Sequence, residues 1–266
     1  MRKVTKERFG EWAVITGASS GIGREMARQV AKRGINTLLV ARSEDVLQTL
    51  AEEIEKQNGV ETRVVAADLT QEAEVQKVIE ASDGLEVGLL INSAGYALTG
   101  EFADNSLDDE LGMLNVNLKA PLILSHHFAK QMRERKKGGI LFLSSIMALA
   151  GAAKWANYNA TKAHNLVLAE GLAQELKKDN IRVTTLILGP VKSGFQERSH
   201  TQSPFFAMSA QRVAKYGLWM LGCRRVYVVG FVNKLIALST RLNPRVLNTI
   251  IFSSVVNKLA QRGEAS

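Results

Sequence analysis

Short apolar runs alternate with amphipathic stretches along most of this chain. Seven runs of five to seven residues are candidate strands: WAVIT, NTLLVA, TRVVAA, GLLIN, GILFLS, RVTTLIL and RVYVVG. Runs that are apolar throughout are typical of a parallel sheet that helices bury on both faces. The pattern predicts an α/β fold of the Rossmann type, a doubly wound parallel sheet of seven strands in a single domain.

The stretches between these runs have helical spacing. Two crossover helices are predicted from apolar stripes that end at Gly34 and near Gly59, formed by Ile22, Met26 and Val30 in the first and by Val46 or Leu47, Leu50 and Ile54 in the second. A longer region, 106–137, ends in RERKKGG, and a basic last turn followed by glycine suits a helix C-terminus.

Residues 231–266 continue past the seventh candidate strand, so we divide the chain into 1–230 and a C-terminal helical extension, 231–266. A first helix is predicted over 231–242, and Pro244 begins a second, amphipathic one. Its apolar face is predicted to be Leu247, Ile251, Val255 and Leu259, with Arg245, Lys258 and Arg262 on the other face. The extension either packs over its own substrate cleft, the interpretation we favour, or lies on a membrane surface.

Composition indicates the cellular compartment in which the protein is expected. The chain has 266 residues, 46% of them apolar, which is enough for one large core. Its single cysteine, Cys223, cannot form an internal disulfide, which favours a reducing compartment. The sequence has neither the apolar core of a signal peptide nor about 20 unbroken apolar residues that could span a bilayer. We expect a cytoplasmic protein, with peripheral membrane attachment as the alternative.

The net charge of +8 is concentrated at one end of the chain. Residues 224–266 contain seven Lys or Arg and one Glu, so the remainder is nearly balanced. No nucleic-acid-binding motif accompanies this excess, and we therefore expect no nucleic-acid partner. The neighbouring His126 and His127 point about 100° apart on a helix, so we expect no metal site there.

The first predicted strand runs into the glycine-rich sequence TGASSGIG, which opens the first crossover helix. Glycines at such a turn let the backbone approach a pyrophosphate, which the helix N-terminus then stabilises. The predicted cofactor-binding residues of this turn are Gly17, Ser19, Ser20, Gly21, Ile22 and Gly23.

The end of the second strand indicates which dinucleotide binds. Enzymes that use NAD usually place a carboxylate here, on the ribose 2′-hydroxyl. This chain has Ala41 at that position, followed by Arg42 and Ser43. A guanidinium that binds a 2′-phosphate makes charge-assisted bonds worth about 1.5–3 kcal/mol each, so the sequence predicts NADP(H). Glu44 and Asp45 fit better as first-turn residues of the next helix.

Polar and small residues also end the third and fourth strands, at the edge of the sheet where the glycine turn lies. We expect them to line the bound cofactor, and they are Asp68, Leu69, Asn92, Ala94 and Gly95.

The sequence YNATKAHN contains Tyr158 and Lys162, which share one face of a helix because they are four residues apart. A phenol with a pKa near 10 is a poor acid at neutral pH. A nearby ammonium favours the phenolate, so we expect Lys162 to lower the pKa of Tyr158 into the working range.

Taken together, TGASSGIG, DL, NSAG, NVNLKAP, LFLSS and YNATK resemble the short-chain dehydrogenase/reductase family, in order, from residue 12 to about 194. The family's spacings imply two further site residues, Ser145 and Asn117. The resemblance implies that Tyr158 exchanges the proton and Ser145 binds the carbonyl oxygen. It also implies that Lys162 binds the nicotinamide ribose and that Asn117 holds a water linked to Lys162.

The sequence LGPVKSG is similar to the family's segment that contacts the nicotinamide, which implies cofactor contacts by Pro190, Val191 and Ser193. Two positions depart from the family pattern, Leu188 and Ser93. Neither change removes a catalytic group, so we expect local adjustments only.

The resemblance predicts an NADP(H)-dependent oxidoreductase that interconverts a carbonyl and an alcohol. We expect an apolar substrate, covered by a flap at 192–212 that contains Phe195, Phe205, Phe206 and Met208. The extension resembles that of hydroxysteroid dehydrogenase-like and long-chain 3-oxoacyl reductase-like members. The family also implies a homodimer or homotetramer through the helices of 106–136 and 157–178. A non-catalytic NADP sensor and a membrane-peripheral lipid or 3-oxoacyl reductase are the alternatives.

Overall fold

A computed structural model of the chain describes residues 4–195, 199, 201 and 207–264. Seven strands form one parallel sheet in the order β3-β2-β1-β4-β5-β6-β9, and all seven predicted runs are among them. Their bounds are β1 Trp12–Thr16, β2 Asn36–Ala41, β3 Thr62–Ala66, β4 Val87–Asn92, β5 Gly138–Ser145, β6 Ile181–Leu188 and β9 Val226–Val228. The short strands β7 Val191–Lys192 and β8 Met208–Ser209 pair separately, beyond the end of β6.

Helices cover both faces of this sheet. In chain order they are α1 Lys6–Phe9, α2 Gly21–Ala31, α3 Glu44–Asn58, α4 Glu72–Glu80, α5 Leu107–Leu114, α6 Ala120–Arg135, α7 Ala156–Glu175, α8 Ala210–Met220, α9 Phe231–Leu242 and α10 Arg245–Glu264. One core cluster joins the sheet to α2, α3 and α8, and a second joins the other face to α4, α6 and α7. The predicted doubly wound α/β fold is confirmed.

The predicted helical region 106–137 contains a break. Residues Asn115–Lys119 form a π-helical turn between α5 and α6, and Asn117 within it is fully buried. The side-chain amide of Asn165, on α7, donates to the backbone carbonyl of Asn117 over 2.7 Å. The polar side chain of Asn165, itself buried, therefore fixes the π turn against α7.

Two predicted element boundaries differ from those in the structure. Lys136 itself, with φ 48°, takes the left-handed conformation that ends α6, ahead of the glycines. The predicted flap 192–212 overlaps α8, which begins at Ala210 because the Ser209 hydroxyl accepts from the Arg212 amide and caps the helix. Phe205 and Phe206 lie outside the described residues.

The predicted apolar face of α10 is wrong at two of its four residues, Leu247 and Ile251. Asn248, Phe252, Val256 and Ala260 are buried, whereas Leu247 and Ile251 are largely exposed. The reason is a polar contact that periodicity does not reveal. The Asn248 amide donates to the Thr240 carbonyl over 2.9 Å and its oxygen accepts from Asn243, which turns this row of α10 inward.

Replacing Asn165 by leucine should lower the free energy of unfolding by about 1–3 kcal/mol, because the buried Asn117 carbonyl loses its donor. Urea unfolding followed by circular dichroism measures the change. The exposed Val167 on the same helix provides the control, since Val167→Ala should change stability by less than about 0.5 kcal/mol. Equal stability of Asn165→Leu and wild type would contradict a structural role for this bond.

Candidate active site

A cavity of about 530 Å³ opens at the carboxyl edge of the sheet, where β1 lies between β2 and β4 and the strand order reverses. Ligands bind at this position in open α/β sheets. All the predicted site residues line the cavity except Asn92 and Asn117, which are buried behind its wall. The fold therefore brings together residues that the sequence spreads from Gly17 to Ser193.

The glycine turn packs directly against the loop that follows β4. Gly17 has φ 67°, and a Cβ there would lie 2.9 Å from the Ala94 backbone. The Thr16 hydroxyl accepts from the amides of Ser93 and Ala94, each over 3.1 Å. A Cβ at Gly23 would overlap the Gly17 carbonyl. These contacts place the first turn of α2 at the cavity, where the Ser193 side chain packs against Gly21.

The end of β2 presents Arg42 and Ser43 to the same cavity, and both are exposed. Glu44 and Asp45 form the first turn of α3, as predicted, and neither lines the cavity. The end of β2 therefore presents a cation to the cavity.

The predicted proton donor is held at the start of α7. The Ser145 hydroxyl accepts from the Met147 amide over 3.1 Å and forms a hydrogen bond with Tyr158. Lys162 donates to the Leu143 carbonyl over 3.2 Å. The Ser144 hydroxyl in turn donates to the Lys162 carbonyl over 2.8 Å. The end of β5 thus fixes both Tyr158 and Lys162.

The expected electrostatics of this pair differ from the structure. Burial raises the pKa of Tyr158 above its ordinary value, and the hydrogen bond from Ser145 offsets this only in part. Burial also lowers the pKa of Lys162 from 10.5 to about 8. The prediction that Lys162 lowers the pKa of Tyr158 is wrong for this arrangement, because the ammonium donates to the Leu143 carbonyl and burial raises the pKa of the phenol.

Asn117 lies behind Gly95 and not in the cavity. Its amide donates to the Tyr96 carbonyl over 2.8 Å, and its oxygen accepts from the Tyr96 amide over 3.0 Å. A Cβ at Gly95 would lie 3.0 Å from the Asn117 oxygen and 3.2 Å from the Lys162 ammonium. Only glycine leaves these two groups undisturbed.

Asn92 has a structural contact in place of the predicted cofactor contact. Its amide donates to the Ser125 hydroxyl of α6 over 3.1 Å, at the last residue of β4. The side chain is directed into the helix layer because successive residues of a strand point to opposite faces. Asn92 therefore secures α6 beneath the cavity.

The far half of the cavity is apolar, and sequence reasoning missed most of it. The Trp155 ring lies 5.3 Å from the Tyr158 ring, and Phe195 lies 5.7 Å from Tyr158. The other apolar residues lining this half are Leu98, Ile146, Met147, Val255 and Leu259. Val255 and Leu259 belong to α10, so the extension covers part of the cavity, as we favoured. No local pattern marks Trp155 or Met147.

Comparison with known proteins gives one family. The profile of the short chain dehydrogenase family matches residues 11–204. The 7beta-hydroxysteroid dehydrogenase of Clostridium sardiniense is 29% identical over 232 residues, which cover 86% of this chain and 89% of that protein. The very-long-chain 3-oxoacyl-CoA reductase of Laccaria bicolor is 34% identical over 181 residues, covering 66% of this chain and 54% of that protein.

Solved structures agree. A 7beta-hydroxysteroid dehydrogenase superimposes with a TM-score of 0.87 at 26% identity, covering 93% of this chain and 98% of that one. A short-chain dehydrogenase from Sphingobium yanoikuyae in complex with NADPH gives 0.79 at 28% identity, covering 87% and 93%. The matched profile, the sheet order and the glycine turn lead to one conclusion: this chain belongs to the short-chain dehydrogenase/reductase family and is an oxidoreductase of that family.

Proposed function

We propose that this protein uses NADP(H) to interconvert a carbonyl and an alcohol on an apolar substrate. One observation carries the proposal. The cavity has two parts, a glycine-lined half around the glycine turn and Gly95, and the apolar half. Tyr158, with its Ser145 contact, lies between them. A proton donor at that boundary faces both a cofactor and a substrate.

The glycine-lined half fits a dinucleotide. Gly17, Gly21 and Gly95 present bare backbone to this half, and each must be glycine because a Cβ would meet neighbouring protein atoms. The N-terminus of α2 would hold the pyrophosphate, Arg42 and Ser43 the 2′-phosphate, and Asp68 and Leu69 the adenine side. Pro190, Val191 and Ser193 would contact the nicotinamide. When bound, NADPH supplies the hydride that reduces the carbonyl carbon.

The chain's own groups would handle the proton. The Ser145 hydroxyl contacts Tyr158 in the free protein, and its hydrogen would turn to the substrate oxygen while the Met147 amide continues to occupy an acceptor site. Tyr158, with its raised pKa, keeps its proton at neutral pH and can give it to that oxygen as negative charge develops. Lys162 would stabilise the resulting phenolate. Asn117 would act by supporting this wall of the cavity and not through a water, because its amide is bonded to Tyr96 and its carbonyl accepts from Asn165.

The apolar half favours a compact apolar ketone over a polar one. Trp155, Phe195 and Val255 offer no charge to a substrate. The relative that this chain covers almost completely is named for hydroxysteroids, whereas only 54% of the very-long-chain 3-oxoacyl-CoA reductase is covered. A steroid ketone is therefore the first substrate to test, and a 3-oxoacyl thioester is the second.

The non-catalytic sensor remains the competing function, because a protein that only binds NADP needs the glycine turn and Arg42 but no proton donor. The association of Tyr158 with Ser145 and Lys162 speaks against it. Turnover by the purified protein separates the two.

We expect Tyr158→Phe to lower kcat at least about 100-fold, since it removes the proton donor and little else. The assay is NADPH oxidation against steroid, quinone, fatty-aldehyde and 3-oxoacyl carbonyls. Quenching of NADPH fluorescence should show unchanged cofactor binding. The half-buried Tyr216 on α8 provides the control, and Tyr216→Phe should keep full activity. Equal kcat in wild type and Tyr158→Phe would exclude our assignment, and binding without turnover on any carbonyl would favour the sensor.

Arg42→Ala should reduce kcat/KM for NADPH by about 10- to 100-fold, the equivalent of one lost charge-assisted bond. The value for NADH should change less than about threefold, because NADH lacks the 2′-phosphate. Arg212→Ala, an exposed arginine outside the cavity, should leave both values unchanged. Equal efficiencies with NADPH and NADH in the wild type would refute the role of Arg42.

The kcat/KM for carbonyl reduction should be constant at low pH and fall as the pH rises through about 8. Lys162, whose pKa is lowered to about 8, is cationic below that pH and neutral above it. Titration of Tyr158 adds no second break to the pH profile near pH 8, because burial raises the pKa of this phenol. The break should disappear in Lys162→Arg, whose guanidinium stays charged, and persist in Lys154→Arg. A rate that increases above pH 8 would contradict the assignment.

A further inference from the structure

The two C-terminal helices expose an unusual amount of apolar surface. Sixteen large apolar side chains are exposed among the described residues, and ten of them belong to α9 and α10. Exposed apolar residues that cluster in this way mark interaction sites, whereas scattered ones do not. The exposed fraction reaches 74% at Phe231 and 76% at Leu242.

On α9 these residues form one stripe. Phe231, Leu235, Leu238 and Leu242 are spaced by four, three and four residues, so they share a face. The opposite side of the helix faces the body of the protein, where the buried Asn233 donates to the Val229 carbonyl. The apolar stripe of this amphipathic helix is therefore directed to solvent, the reverse of what a helix in a globular protein usually does.

The start of α10 adds a second set of exposed residues just after this stripe. The C-terminal apolar face, as we define it, consists of Phe231, Leu235, Leu238, Leu242, Val246, Leu247, Ile250 and Ile251. No helix among the described residues is both long enough and apolar enough to cross a membrane.

The positive charge around the C-terminal apolar face indicates the kind of partner that it fits. Residues 224–266 contain seven Lys or Arg and one Glu. Lys234 and Arg241, seven residues apart, follow one edge of the α9 stripe, and the exposed Arg245 stands between the two halves of the face. A second copy of this chain would bring like charges together across a twofold axis, which disfavours pairing. Anionic lipid headgroups complement both the charge and the apolar face.

We propose that the C-terminal apolar face docks this protein on an anionic lipid surface, with α9 and α10 lying in the interface. The inner row of α10 continues into the cavity, because Phe252 and Val256 pack against the Tyr158 cluster and the neighbouring Val255 lines the cavity. Docking thus places the cavity next to the lipid. The idea that a substrate enters this cavity from the lipid rests on the proposed function, whereas the docking itself does not.

Vesicle flotation tests the docking without substrate or cofactor, so its result is independent of the proposed activity. The full chain is mixed with phosphatidylcholine vesicles that contain no phosphatidylglycerol or 30% of it, on the order of physiological surface charge. We expect the wild type to float with the anionic vesicles and to be released as salt rises. Phe231→Ser with Leu242→Ser should reduce the bound fraction at least about tenfold.

Two matched controls keep the test specific. Phe102→Ser with Leu107→Ser changes the same residue types at comparable exposure, 62% and 68%, on another surface, and should float like the wild type. Arg241→Gln with Arg245→Gln should weaken anionic binding about tenfold, whereas Lys56→Gln with Lys178→Gln, which removes the same charge elsewhere, should change it less than twofold.

Either of two results would overturn the proposal. The first is that the wild type does not bind the anionic vesicles, and the second is that the Phe231 and Leu242 variant floats as well as the control. Sedimentation velocity separates the remaining alternative. If that variant converted a larger assembly into a smaller one with no change in flotation, the face would be an interface between copies of this chain and not a lipid surface.

Discussion

The close backbone contact between the ends of β1 and β4 determines where every group of the site can lie. Gly17 meets the Ala94 backbone, and the Thr16 hydroxyl accepts from two amides of the following loop. This contact needs a glycine with a positive φ, and no side chain can be added to it without displacing one strand. It aims the first turn of α2 into the cavity and brings Gly95 to the position where Asn117 and Lys162 lie behind it.

Burial gives the site its acid and base properties before any ligand is considered. Tyr158 and Lys162 are both buried, and desolvation raises the pKa of the phenol and lowers the pKa of the ammonium. Each shift favours the neutral form, so the pair resists separating charge within the protein. The Ser145 hydrogen bond acts in the opposite direction on Tyr158. A phenol kept protonated in this way suits proton donation, and the energetic cost of the phenolate must be met by groups that approach it during the reaction.

The sequence predicts the sheet well because its signals are local. Each strand is an apolar run bounded by turn residues, and the glycine turn follows β1 directly, so neither depends on distant contacts. The rotation of α10 could not be predicted in the same way. Its exposed and buried rows are both apolar. The choice between them depends on the bond that Asn248 donates to the Thr240 carbonyl of α9 and on the bond that it accepts from Asn243. The roles of Asn92 and Trp155 could not be predicted for the same reason. Asn92 depends on a contact with α6 and Trp155 on a contact with Phe195, and both partners are remote in the sequence.

The helix α10 is apolar on two sides, and only one of them packs against the rest of the protein that the structure describes. Its inner row, Phe252 and Val256, packs over Tyr158, while Ile250 and Ile251 remain exposed on the outside. The weak periodicity of this segment therefore results from two apolar rows, one packed on the protein and one exposed, and not from poor helix design. Because Val255 lies between the two rows and borders the cavity, the exposed outer row lies next to the apolar half. The outer surface and the site are therefore linked through one helix.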